Sequence, residues 1–217
     1  MRPALPKPRT ALRAALLATA LALPGCAGLV VGGAATVGTA AMQDRGVRGA
    51  VTDNAIVLEI NHLWFQKSES LFSAVSTQIY EGRVLVTGAV TDPDVRAEAI
   101  RLAWQAKGVR EIINEVEITD AGGLKAYARD TWSANELRTR LLFAKDINSV
   151  NYSVDVVNGT VYIIGVFVSP EEHDRVLTVA RNLSGVKRVV THVIARDDPR
   201  RFRPPPGEET APAKPAT

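Results

Sequence analysis

Two stretches of the chain carry the same succession of apolar runs and turn residues. In the later one, residues 153–157 and 160–167 are β-branched and aromatic runs flanking Asn158-Gly159. That dipeptide tolerates positive φ, so a two-residue β-hairpin is expected. Ser169-Pro170-Glu171-Glu172 then supplies an N-cap serine, a proline at the first helical position and a capping-box glutamate, which start a helix. Gly185 is placed to end that helix in a left-handed residue, and residues 186–194 form a last strand. The earlier stretch repeats the order with Glu81-Gly82, Asp92-Pro93, Gly108 and a strand over 109–118.

A helix precedes each hairpin. With Trp132 at zero and about 100° per residue, Ala134, Leu137, Leu141 and Ala144 fall between roughly 120° and 200° and form a core stripe. Trp132 and Phe143 then face outward within about 20° of each other, flanked by Arg140 on one side and Leu142 on the other. The matching stripe in the first helix is Ile56, Ile60, Leu63 and Trp64, with His62 turned away from it.

Sliding the chain on itself by 77 residues superposes 53–118 on 130–195 without a gap, and 11 of the 66 positions are identical, among them Asp53/Asp130, Gly82/Gly159, Gly88/Gly165 and Gly108/Gly185. The matches fall where backbone geometry demands special residues, so the chain contains one unit of about 70 residues written twice. A hairpin plus a strand reached through a helix gives a three-stranded mixed sheet with two helices covering one face, an α+β fold. No pattern in the sequence sets the packing of the two units or the oligomeric state.

The start of the chain is an address. Residues 1–13 carry four basic side chains, residues 14–23 form an apolar run, and Leu23-Pro24-Gly25-Cys26 follows. This is the order of an export signal. Its ending resembles the lipobox of bacterial lipoproteins, apart from Pro24, and the resemblance implies a diacylglycerol and an N-acyl chain on Cys26. Two or more acyl chains hold a protein on a membrane stably. Residues 14–42 lack charge and are long enough to span a bilayer, so an uncleaved anchor is the alternative. Pro24 and several glycines interrupt that run, which favours a flexible tether.

The 217 residues hold 26 basic and 23 acidic side chains. Removing residues 1–25 leaves 22 basic against 23 acidic, so no basic excess remains for a nucleic acid. One cysteine and three scattered histidines, His62, His173 and His192, support neither a disulfide framework nor a zinc cage. No nucleophile, paired acid and base, or Gly-rich phosphate loop is legible, so neither an enzyme nor a cofactor is expected.

The paired units, Asp130-Thr131-Trp132 followed by Leu137-Arg138 and Leu141-Leu142, the Asn158-Gly159 hairpin and Ser184-Gly185-Val186-Lys187-Arg188-Val189 resemble the BON domain. With the lipobox and tether, the chain resembles the dual BON-domain lipoproteins of the Gram-negative outer membrane. The resemblance implies an αββαβ sandwich in each unit, a periplasm-facing outer-membrane location, a role in envelope integrity, and binding of anionic phospholipid by the second unit. Ala27, where an Asp would resemble an inner-membrane retention signal, agrees with that location. The domain reading is a signal peptide over 1–25, a lipidated Gly/Ala-rich tether over 26–51, BON domains over 52–119 and 129–195, a linker over 120–128, and a disordered Pro-rich tail over 196–217. The Arg200-Arg201-Phe202-Arg203 cluster is read as part of that solvated tail.

The candidate lipid-binding residues are Trp132, Arg138, Arg140, Leu142 and Phe143, with Cys26 as the lipidation site. Residues 129–145 carry a net charge of +2, whereas 52–68 carry −1. Near an anionic surface each basic residue contributes about 1 kcal/mol. A competing reading makes Ser133 an N-cap and Glu136 its capping-box partner, so that Trp132 and Leu137 form a hydrophobic staple. Phe143 packing on the neighbouring unit is also open. The alternative function is an adaptor that binds another envelope or outer-membrane protein through a sheet edge or the interface between units.

Overall fold

The structure, a computed structural model, describes residues 46–121, 123–202 and 204–206. Residues 1–45, which include Cys26 and the stretches read as signal peptide and most of the tether, lie outside the described residues. Domain 1 comprises α1 (Gly46–Lys67), α2 (Glu69–Ala74), β1 (Val75–Tyr80), β2 (Arg83–Val90), α3 (Pro93–Ala103) and β3 (Glu111–Ile118). Domain 2 comprises α4 (Leu124–Phe143), a 3-10 turn (Ser149–Asn151), β4 (Tyr152–Val157), β5 (Thr160–Phe167), α5 (Pro170–Arg181) and β6 (Arg188–Ala195). A second 3-10 turn, Pro199–Phe202, follows.

In each domain the hairpin is antiparallel and the crossover strand pairs parallel with the second hairpin strand, giving orders β1-β2-β3 and β4-β5-β6. Tyr80 pairs with Arg83 and Val157 with Thr160, so both turns have two residues. All four turn residues take positive φ: Glu81 and Gly82, Asn158 and Gly159. Such turns match the right-handed twist of the strands they join.

The preceding helix clamps each turn. The Glu81 and Gly82 amides both donate to the Asp53 carboxylate at 2.8 Å. The Asn158 and Gly159 amides donate to Asp130 at 2.7 and 3.1 Å. Both aspartates are buried. This contact accounts for one of the identical pairs in the repeat. Gly88 and Gly165 account for another: a Cβ would lie 2.2 Å from the Ala74 carbonyl oxygen in one domain and 2.0 Å from that of Asn151 in the other. Here the chain entering the hairpin crosses the central strand too closely for any side chain.

Val84 and Val86 of β2 join the helices of domain 1 in one core, and Val161 and Ile163 of β5 join those of domain 2. The residues between them point the other way. Tyr80, Leu85, Tyr162, Ile164, Val166 and Ile194 form a third core in which the two sheets pack face to face. The helices therefore cover one face of each sheet, as expected, and the other domain covers the second.

Three boundaries differ from the sequence reading. The first helix begins at Gly46, inside the stretch read as tether. The next begins at Leu124, inside the 120–128 linker, because Leu124-Lys125-Ala126-Tyr127-Ala128 lacks any helix breaker and Gly123 serves as N-cap with φ of 88°. The tail read as disordered from 196 starts as structure. Arg201 is buried, and its guanidinium donates to both carboxylate oxygens of Glu81, at 2.8 and 2.6 Å. It also donates to the Arg196 carbonyl. Residues 203 and 207–217 lie outside the described residues.

Two substitutions test these contacts in urea unfolding of the unlipidated domain pair. Asp130→Ala leaves two turn amides without their acceptor and is expected to cost about 3 kcal/mol. Gly165→Ala forces the β4–β5 crossing apart and is expected to cost at least as much, about 3 kcal/mol. A loss below about 0.5 kcal/mol for either removes the role assigned to that residue.

Candidate functional site

α4 is 20 residues long and spans about 30 Å. Ala134, Leu137 and Leu141 are buried as the stripe requires, and Asp130 and Ser133 are buried beside them. The opposite side is bare: Trp132 is 73%, Leu142 62% and Phe143 80% exposed. Ser133 lies in the middle of the helix, ten residues after the Gly123 N-cap. That overturns the staple, because no helix starts at Ser133 and Trp132 touches no core. The exposure of Phe143 likewise rules out its packing on domain 1.

The two candidate arginines are both engaged within domain 2. Arg138 donates to the Val154 carbonyl of β4 and, at 3.0 Å, to Asn135 Oδ1. Arg140 pairs with Glu136 at 2.6 Å, an i,i+4 pair. Each keeps further N–H groups, but neither is an unattached cation. Arg129, also on the outward side of the helix, makes no ion pair among the described residues. The Asp130 carboxylate, counted as an acid in the local charge, faces inward onto the hairpin turn. The outward face is therefore more basic than the bare count implies.

Sequence reasoning missed two exposed apolar residues, Leu124 at 84% and Tyr127 at 69%, because it placed them in a linker. The signal was present: five helix-forming residues follow Gly122-Gly123. Exposed apolar side chains are not confined to domain 2. Ala55, His62 and Gln66 do stand where Trp132, Thr139 and Phe143 stand in domain 2, but domain 1 exposes Leu58, Phe65 and Phe72. Phe65 and Phe72 meet edge to face at 5.7 Å. Charge distinguishes the two helices better than apolarity does.

The histidines occupy ordinary places. His62 is exposed. His173 stacks on Phe167 at 5.0 Å and bonds Thr191 Oγ1, and its burial holds the imidazole pKa below the usual value. His192 Nε2 lies 2.9 Å from Glu115 Oε1, a pairing between domains that the linear sequence does not announce. Ser169 caps α5 by accepting from the Glu172 amide. Glu172 accepts from the Val168 and Asn148 amides, and so ties the helix start to the segment before β4. No described helix is long and apolar enough to cross a membrane.

The BON domain model matches residues 67–120 and 129–197. "Uncharacterized protein in gshII 5'region" of Anaplasma centrale is 38% identical over 144 residues, covering 66% of this chain and 94% of its own length. "Outer membrane lipoprotein DolP" of Haemophilus influenzae is 27% identical over 181 residues, covering 82% and 92%. "Osmotically-inducible protein Y" of Escherichia coli is 26% identical over 139 residues, covering 63% and 69%. The family match covers domain 2 from Arg129, within α4, and domain 1 only from Lys67, the last residue of α1. With a BON match in each unit, together over more than half of the chain, and the similarity to DolP running through most of it, the chain belongs to the BON-domain family as a DolP-like dual-BON protein.

Proposed function

We propose that this chain is a lipid-anchored protein of the outer membrane, facing the periplasm, whose second BON domain docks on anionic phospholipid and which supports envelope integrity without catalysing a reaction. The observation that carries the reading is the outward face of α4. Trp132 and Phe143 lie on one azimuth, about 17 Å apart along a helix whose other side is buried. Aromatic rings at the headgroup level with guanidinium groups beside them suit a membrane interface. Arg129, which makes no ion pair among the described residues, adds a further charge. Arg138 and Arg140 flank the patch with donors left over from their contacts inside the domain. The similarity to the outer membrane lipoprotein DolP and the Leu23-Pro24-Gly25-Cys26 ending support acylation of Cys26, with no cofactor besides those acyl chains.

A second reading, an adaptor for another envelope protein, draws on Leu58, Phe65 and Phe72 of domain 1. The apolar face between the domains is filled by the third core, so an adaptor would use this helix surface or a strand edge.

Two measurements test the proposal. In flotation of the unlipidated domain pair with phosphatidylglycerol vesicles, Trp132→Glu is expected to weaken binding about tenfold. Its stability should stay within about 0.5 kcal/mol of wild type, as for other exposed positions. Equal flotation of the folded variant ends the lipid reading, whereas capture of one envelope protein lost on Phe65→Glu favours the adaptor. For the address, radiolabelled fatty acid should enter the wild-type chain and be absent from Cys26→Ser, with the label recovered in the outer membrane. Label on the serine variant, or recovery in the inner membrane, overturns it.

A further inference from the structure

Where β2 and β3 begin, domain 1 holds a cleft of about 250 Å³ lined by Arg83, Trp104, Arg110, Glu111, Ile112 and Arg200. It is smaller than the pockets that enclose drug-sized ligands, about 300–1,000 Å³, and suits a small ion or headgroup. Its charges do not cancel. The Arg83 side chain is 3% exposed and donates from Nε to Glu111 at 2.7 Å and from Nη1 to the His192 carbonyl at 3.1 Å. Arg200 is held by both oxygens of Asp198, at 3.0 and 2.7 Å. Two carboxylates thus balance two guanidinium groups.

Arg110 is the third guanidinium, and among the described residues it has no carboxylate partner. Its Nη1 donates to the neutral Arg201 carbonyl at 2.8 Å. Its stem lies over Gly82, where a Cβ would come within 3.1 Å of Cγ. Turn and tail therefore fix the Arg110 head in place before any ligand arrives, which lowers the ordering cost of binding. Trp104, 44% exposed, forms an aromatic wall beside it. A surplus positive charge in a recess, presented as planar guanidinium forks, is the chemistry that recognises phosphate oxygens.

The repeat supplies a comparison within the chain. The positions of Arg83, Trp104, Arg110 and Glu111 are occupied in domain 2 by Thr160, Arg181, Lys187 and Arg188. Lys187 donates to the Asn158 carbonyl of its own turn. The cleft is therefore a product of divergence in domain 1 together with the Pro199–Phe202 turn, which contributes Arg200 and the carbonyl of Arg201. It stands apart from α4 and does not rest on the lipid reading of that helix.

We propose that this cleft is a phosphate-binding site, with Arg110 as its principal contact and Arg83 and Arg200 as flanking donors. The phosphate group comes either free in solution or on a phosphoglycerol headgroup.

The test uses the full chain labelled with 15N and follows its three tryptophan indole resonances, assigned with Trp104→Phe and Trp132→Phe. Inorganic phosphate and glycerol 3-phosphate are titrated at ionic strength matched with chloride, and phosphatidylglycerol vesicles form a separate arm. A saturable shift of Trp104 with Trp132 unmoved in the soluble arm supports a free phosphate. A Trp104 shift confined to the vesicle arm and retained by Trp132→Glu supports a headgroup. In either case Arg110→Gln is expected to weaken binding about tenfold and Arg110→Lys less, while Lys187→Gln leaves it unchanged. An unmoved Trp64 indole reports that each variant is folded. Absence of a saturable Trp104 shift in both arms, or wild-type affinity in folded Arg110→Gln, overturns the proposal. Neither result bears on docking through α4, which Trp132 reports separately.

Discussion

The central strands β2 and β5 bury side chains on both faces, and the rest of the molecule is arranged around that. Val84 and Val86 belong to one core and Leu85 to another; Val161 and Ile163 alternate in the same way with Tyr162 and Ile164. A three-stranded sheet covered by helices on one side only would leave its second apolar face in water. Each domain covers that face for the other. Once the sheets have met, the surfaces left for anything else are the outward sides of the helices, the strand edges and the turns. Both features given a functional reading, the α4 face and the cleft beside the β1–β2 turn, lie on what remains.

Around the shared apolar core runs a set of polar contacts between domains. Tyr80 donates to Asn151, Thr87 to Asp155 and Tyr162 to Glu117, while Glu115 meets His192. The last pair is informative because Glu115 and His192 occupy the same position of the repeat, 77 residues apart. In an isologous dimer of identical units that position would face its own copy across the symmetry axis, setting two carboxylates or two imidazoles against each other. Fusing the units in one chain lets the position differ on its two sides and become a complementary pair. The same freedom permits Arg83 and Trp104 on one copy and Trp132 and Phe143 on the other.

Much of this was legible in the chain. The hairpins, the Asp92 and Ser169 caps and the buried stripes of both first helices follow from local rules, because each depends on residues within one or two turns of the backbone. What escaped were features that depend on distant partners. The unbroken apolar runs of β2 and β5 do hint at burial on both faces, but they do not say against what. The linker and tail were misread for a related reason: Gly122-Gly123 and the prolines after Arg196 mark breaks, and composition alone extends a break too far. Partners far away in the chain, the Glu81 carboxylate 120 residues away and the Arg110 guanidinium, help dock the turn that carries Arg201. The arginines of α4 were placed on the correct helix, yet their partners Val154 and Glu136 take up part of their donor capacity.

The Asp130 clamp ties these levels together. Its carboxylate fixes the azimuth of α4 against the β4–β5 turn, and Leu137 and Leu141 fix it again about two and three turns further on. A helix pinned at three points along one side cannot roll, so its other side is fixed as well. Trp132, two residues after the clamp and about 200° around the helix, is thereby held outward, and Phe143 with it. A patch on a mobile loop would have to be ordered as it met a surface, at a cost of roughly 0.5–1.5 kcal/mol per side chain immobilised. On α4 the backbone that carries the rings is already ordered by the same aspartate that closes the hairpin. The buried residue common to both repeats thus sets the direction of the exposed ones that differ between them.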